Sequence, residues 1–298
     1  MSRDEIIGII SLIAGVGLFS TVEVTSKFIG NSVDPVVLTF IRFFVTGIVL
    51  LCISIPLLSL RIRSLTLTDI GIFLLNAFIG IALSIPLFHL AILVLEKAAS
   101  AAVVFSVNPV FVIVLARYIN GESWTLRKWL AVFLGVAGVI FFSFESGSLT
   151  YRSVGGLAIM ILSAILFATS ICISRRVVAR YGATILMGFS ALFGSLMLFP
   201  FACMKISPEN LAAMENLWLP ILYLSIMGTA MAYAFYYFGI LNTSAQKAGM
   251  AFFLKPVLAS ILATLLLGES FNMYMTIGTL LILAGLVLVL AQPKRILQ

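Results

Sequence analysis

One segment of this chain occurs twice. Residues 101–138 align with residues 248–285 at a constant offset of 147 positions, which carries Pro109 onto Pro256, Glu122 onto Glu269 and Gly138 onto Gly285. Phe105 and Phe252 coincide, as do Leu115–Ala116 and Leu262–Ala263 and the runs Gly121–Glu122–Ser123 and Gly268–Glu269–Ser270. A repeat this long means two copies of one structural unit that must pack against each other, so the fold has to be built from two related halves.

Composition says where those halves sit. Of 298 residues, 62% are hydrophobic and only 10% are charged; the mean hydropathy is +1.21. An average soluble domain is about one quarter charged, and no water-soluble fold hides this much apolar surface. The chain is read as an integral membrane protein in contact with the lipid bilayer, and its net charge of +7 bears on topology rather than on nucleic acid. Cys52, Cys172 and Cys203 lie in apolar runs and behave as small hydrophobes, so no disulfide framework is expected. A single histidine leaves no Cys/His ligand spacing, so neither a metal nor another cofactor is expected. Arg3 is followed at once by Asp4 and Glu5, with no cleavage site after the apolar run; residues 6–28 are expected to remain as a helix.

A membrane span needs about 20 mostly apolar residues. Ten are expected, at 6–28, 36–58, 69–93, 97–119, 126–144, 154–178, 184–204, 217–241, 247–267 and 272–291. The N-terminus and the even-numbered connections carry Arg3, Arg61, Arg63, Arg117, Arg127, Lys128, Arg175, Arg176, Arg180, Lys247, Lys294 and Arg295. The other side carries Lys97, Arg152 and Lys205. Positive residues stay in the cytoplasm, so a multi-pass cytoplasmic-membrane protein with both termini inside is expected. Five spans per half is an odd number, so the second half (148–298) enters the membrane opposite to the first (1–147). The expected fold is all-α: ten transmembrane helices as two inverted-topology five-helix repeats, an arrangement that places a transport site at the midplane where the repeats meet.

Ten spans in two fives, with Pro109, Gly121–Glu122 and Gly135–Gly138 in one half and Pro256, Gly268–Glu269 and Gly285 in the other, resemble the EamA branch of the drug/metabolite transporter superfamily. Arg42 sits where the second span of that family usually carries Arg. The resemblance covers nearly the whole chain and implies movement of small metabolites, such as amino acids, through a central cavity. It does not fix the substrate. Lys255 departs from the uncharged residue many members carry before the second-half proline; its repeat partner is Asn108.

Charges inside a bilayer cost about 2.5–3.5 kcal/mol on insertion scales, so each needs a partner or a function. Lys255 lies about 12 Å into its span, and Pro256 removes a backbone donor there. This combination suits a substrate carboxylate; the competing reading is a structural pair with Glu23. Ser20, Glu23 and Lys27 share a helix face, and their repeat counterparts Phe167, Ser170 and Ser174 share another, so both faces are expected to line a cavity. Glu23 is a candidate for a substrate amine or for proton coupling. Lys27 and Arg42 are expected to be structural charge-pair residues, Arg42 by reaching Glu23 from the second span and Lys27 at the outer interface, one turn from Glu23. His89 titrates near neutral pH in water and is a second coupling candidate, although a lone histidine is more often a satisfied core residue. Tyr233 and Tyr237 share a face that would wall an amphipathic organic substrate, and Asn108 is a candidate hydrogen-bond group. Glu122 and Glu269 are expected to cap helix starts. Gly135/Gly138 and Gly278/Gly285 are expected to allow close helix packing, a homodimer contact among the options.

The leading class is a secondary transporter of amino acids or related carboxylate-bearing metabolites. A multidrug or lipophilic-cation exporter is the alternative, favoured by Glu23 and disfavoured by Lys255. A lipid flippase or a channel ranks lower. A membrane transferase ranks lowest, because no polar catalytic cluster is present and no enzyme activity is expected. There is no Gly-rich phosphate loop ending in Lys-Ser/Thr, so transport would run on gradients.

Overall fold

The structure, a computed structural model, describes residues 3–61, 65–121, 125–142, 144, 151–206, 208–243, 251 and 254–290. All regular structure among them is helical. The first half contains α1 (Arg3–Phe19), α2 (Val22–Ile29), α3 (Pro35–Arg61), α4 (Leu67–Asn76), α5 (Ser84–Val94), α6 (Ala98–Phe105), α7 (Asn108–Asn120) and α8 (Leu126–Phe142). The second half contains α9 (Tyr151–Tyr181), α10 (Ala183–Lys205), α11 (Pro208–Ser225), α12 (Ala232–Asn242), α13 (Leu254–Leu267) and α14 (Met273–Leu290). Two π-helical segments, Ala77–Leu83 and Ile226–Met231, join α4 to α5 and α11 to α12.

Among the described residues, seven helical stretches are long and apolar enough to cross a membrane: Arg3–Ser32, Pro35–Leu60, Leu67–Val94, Ala98–Asn120, Tyr151–Ser174, Ala183–Lys205 and Leu211–Asn242. The shorter helices α8, α13 and α14 fall on the other three expected spans. Several expected spans are interrupted rather than continuous. The first breaks at Ser20–Thr21, where both hydroxyls bond back to α1, Ser20 to the Val16 carbonyl and Thr21 to the Leu18 carbonyl. The fourth breaks between α6 and α7, so Pro109 stands in the first turn of α7, where a missing N–H costs nothing. Pro256 is the third residue of α13, and residues 252–253 ahead of that helix lie outside the described residues.

The packing follows the repeat. α3 lies along α10, α8 along α14, α1 along α12 and α5 along α9. The 147-residue offset exchanges α1 with α9 and α5 with α12, so the last two pairings are one pairing seen from opposite halves. At the α8–α14 seam the exchange is visible atom by atom. A Cβ on Gly138 would lie 2.8 Å from the Gly278 carbonyl and one on Gly285 would lie 3.0 Å from the Ala131 carbonyl; the offset carries Gly138 to Gly285 and Ala131 to Gly278. The close packing expected of these glycines is thus made within the chain, so they give no support to a homodimer contact.

Gly121 and Gly268, equivalent in the repeat, both take left-handed backbone, at φ +71° and +67°. A side chain there costs about 1–2 kcal/mol. Gly268→Ala is expected to lower stability by about that amount, read as a lower unfolding midpoint. Gly155→Ala, in a helix with nothing within 4 Å of the added methyl, is expected to be neutral or stabilising.

Candidate functional site

Lys255 of α13 reaches Glu23, in the first turn of α2. Nζ lies 2.7 Å from Oε1, and the side chains are 6% and 0% exposed. The break at Ser20–Thr21 matters here: it makes Glu23 a first-turn carboxylate of α2, where the helix dipole favours negative charge. The ammonium also lies 5.3 Å from the centre of the Phe105 ring. Glu23 Oε2 is buried and has no hydrogen-bond partner among the described residues. Two charges removed from water are tolerable because each compensates the other.

Arg42 of α3 is a second buried charge. Its Nε donates to Thr229 Oγ1 at 2.8 Å, and Nη1 stands 3.3 Å from His89 Nε2. The guanidinium carbon lies 5.0 Å from the centre of the Phe43 ring. A guanidinium only donates, so His89 Nε2 accepts and the ring proton sits on Nδ1. That atom is buried without a partner among the described residues. Thr229 belongs to the second π segment and its hydroxyl donates to the Leu224 carbonyl at 2.7 Å, while Thr46 of α3 donates to the Ser225 carbonyl at 2.8 Å. The wider π turn interrupts the regular α-helical ladder, and hydroxyls take up carbonyls beside it. Arg42 thus ties α3 to α5 and to the broken span of the other half. Among the described residues no carboxylate is within ion-pair distance of it, so the expected Arg42–Glu23 pair is not made and Lys255 takes that carboxylate instead.

The other expected residues fall as follows. Lys27 donates to the Ile92 carbonyl at 2.9 Å and also to the Leu95 carbonyl, at the C-terminal end of α5. Tyr233 and Tyr237 stack with ring centres 5.6 Å apart, and Phe19 meets Tyr233 edge-on at 4.8 Å. Both tyrosines are half-buried against Phe43, Ile81 and Phe167 or their neighbours in one cluster. Asn108 is buried and donates to the Ala164 carbonyl at 2.8 Å, joining α7 to α9. Ser170 donates to its own helix, to the Phe167 carbonyl at 2.8 Å. Its Oγ would lie 2.6 Å from a Cβ on Gly80, so Ser170 sits at a tight crossing of α9 over the first π segment. Glu269 accepts from the backbone N–H groups of Ala98 and Ala99 at 2.6 and 3.1 Å. It caps α6 of the opposite half rather than the helix that follows it. Glu122 lies outside the described residues.

Sequence reading missed Thr229 and Thr46, whose partners are set by the π segment. It also missed the buried carboxylate Asp69. Asp69 closes a capping box with Thr66, accepts from Tyr181 at 2.8 Å and pairs with Arg180 at 2.9 Å. Thr66-x-x-Asp69 ahead of an apolar run is a readable helix-start signal; the tie to α9 is not. Ser84 and Ser163 are a third omission, each donating to the other's carbonyl at 2.9 and 2.8 Å.

The sequence model of the EamA-like transporter family matches this chain twice, at residues 6–144 and 154–291. An uncharacterized transporter from Clostridium kluyveri is 27% identical over 283 residues, covering 93% of this chain and 91% of that protein. One from Archaeoglobus fulgidus is 25% identical over 99% of both chains. A chloroplastic WAT1-related protein of Arabidopsis thaliana is 28% identical over 65% of this chain and 48% of its own length. A crystal structure of 17% identity superposes with a TM-score of 0.62 over 95% of this chain and 96% of that one, a likeness of fold. The names of the bacterial and archaeal relatives are those of transporters, not enzymes. This all-helical, multi-pass membrane protein therefore belongs to the EamA-like transporter family.

Proposed function

We propose that the protein is a secondary transporter that carries small carboxylate-bearing metabolites, amino acids and related zwitterions first among them, across the cytoplasmic membrane. The ammonium of Lys255 takes the substrate carboxylate and Glu23 takes its amine. Without substrate the two side chains neutralise each other, as in the 2.7 Å pair. That buried pair, with its second carboxylate oxygen unpartnered among the described residues, is the observation that carries the proposal. A zwitterion brings one charge of each sign and leaves no buried charge uncompensated. A simple amine or a simple acid leaves one, at a cost of about 3–5 kcal/mol. Tyr233 and Tyr237 form the wall for the substrate's side chain, with Asn108 and Ser170 on the facing helices.

In this reading the chain crosses the membrane ten times as two inverted halves, 1–147 and 148–298, with both termini in the cytoplasm. The reciprocal Gly138–Gly278 and Gly285–Ala131 contacts, the double family match and the one-sided distribution of Lys and Arg support it. The two halves tilt about the shared site by alternating access, driven by a gradient, with Glu23 and His89 as the groups for proton coupling. A second reading, export of lipophilic cations, draws on the cluster of Phe19, Tyr233 and Tyr237, since aromatic faces attract cations.

Uptake of labelled amino acids, organic acids and organic cations into proteoliposomes, with and without a pH gradient, separates the two. Amino acids are expected to move at least about tenfold faster than their decarboxylated or deaminated analogues. Movement of organic cations alone would put the exporter reading in its place.

A further inference from the structure

Helix α6 is eight residues long and buried on every side: each residue from Ala98 to Val104 is at most 1% exposed. A helix on the rim of a membrane bundle keeps one face in lipid; α6 keeps none and must lie on the axis. Its continuation in the same span differs. In α7 the side chains of Phe111, Val112, Val114 and Leu115 are all half-buried. The span is sealed at its Ala98 end and looser toward Asn120. Three ties hold the sealed end. Glu269 receives the first N–H groups of α6, Lys97 donates to the Ser270 carbonyl, and Lys27 donates to the carbonyls of Ile92 and Leu95. All three join parts of the chain that are far apart in sequence, and the first two join opposite halves. Ile29, Ile92 and Leu95 fill this end, each 0–1% exposed.

We infer that α6 is a plug closing the end of the bundle opposite the N-terminus, and that Glu269 is the latch that holds it shut. The structure is the state closed at that end. A carboxylate on two N–H groups makes charge-assisted bonds, about twice as strong as neutral ones, at a helix terminus where the dipole adds to them. The rest of α6 is Ala, Ser and Val with a final Phe, small side chains that slide past neighbours once the terminus is released. The left-handed Gly268 turns the chain so that the next carboxylate faces α6. That the plug guards a transport site rests on the Glu23–Lys255 reading above; that it closes this end does not.

The test is labelling of Ser100→Cys, a fully buried α6 position, in a background where Cys52, Cys172 and Cys203 are replaced by Ser. A membrane-impermeant maleimide is applied to each face of sealed vesicles, and the background protein sets the blank. With Glu269 intact, labelling from the face opposite the N-terminus is expected to be slow. Glu269→Ala is expected to speed it about tenfold or more, and Glu269→Gln, which keeps one acceptor but loses the charge, to fall between. Should Glu269→Ala fail to reach the membrane, Glu269→Gln and Lys97→Ala carry the comparison. Unchanged labelling in folded Glu269 variants, or fast labelling of Ser100→Cys alone from that face, would overturn the latch. Labelling needs no substrate, so faster labelling without amino-acid transport keeps the latch and removes the substrate reading; transport with unchanged labelling does the reverse.

Discussion

Removing Lys255 alone is expected to damage the protein more than removing both members of its charge pair. Lys255→Ala leaves Glu23 buried with neither oxygen paired, and breaking a buried pair in this way costs about 3–5 kcal/mol. Glu23→Leu takes the carboxylate from a buried ammonium that lies 5.3 Å from the centre of the Phe105 ring, and is expected to cost a similar amount. The double change Glu23→Leu with Lys255→Met removes both desolvated charges and refills their volume, so its stability is expected to lie near or above that of the parent. Unfolding midpoints of the parent, Glu23→Leu, Lys255→Met and the double variant complete a double-mutant cycle. A large coupling energy marks a tight buried pair, whereas near-additive losses would mean that the two groups act independently.

The second large effect is expected at the α8–α14 seam. Gly138→Leu would drive carbon atoms into the Gly278 carbonyl and the Ile282 side chain, where even a Cβ would sit 2.8 and 2.6 Å away. Overpacking costs about 1–3 kcal/mol in a well-filled core, and here part of the obstacle is backbone, which cannot rotate aside. Gly285→Leu meets the equivalent Ala131 carbonyl at 3.0 Å and the Leu134 Cβ at 3.4 Å. It is expected to cost somewhat less than the first-half change. Gly71→Leu, with nothing within 4 Å of its Cβ position, serves as the control and is expected to cost little. If only one glycine of the pair proves sensitive, the two halves do not share the seam as equivalents.

How much of this was legible in the sequence depends on the range of each interaction. The repeat was visible because both copies kept Pro, Gly-Glu and Gly at the same spacing, and the left-handed Gly121 and Gly268 give a physical reason for keeping two of them. Lys255 and Glu23 stood out because a charge in an apolar span is conspicuous. That they meet is not legible, since no local pattern links residues 232 positions apart. Arg42 was conspicuous for the same reason, yet its partners were hidden: Thr229 is available to it through a π segment that hydropathy does not mark, and His89 looked like an isolated residue. That Glu269 caps a helix is a local inference; that the helix is α6 is a consequence of how the halves pack. The breaks at Ser20–Thr21 and Ser106–Val107 were also invisible, because hydroxyls that bond back into a helix leave an apolar run apolar.

The most direct test of the central claim uses the double variant, because it is expected to fold. Proteoliposomes holding Glu23→Leu/Lys255→Met are loaded beside the parent and given a labelled amino acid and its decarboxylated amine. If the buried pair is the zwitterion site, the variant keeps its parent's stability and loses amino-acid uptake by about a hundredfold or more, the factor expected when a charged pair worth about 3 kcal/mol or more has no counterpart. Amino-acid uptake at the parent's rate by a stable double variant would contradict the account and leave Glu23 and Lys255 as a structural pair.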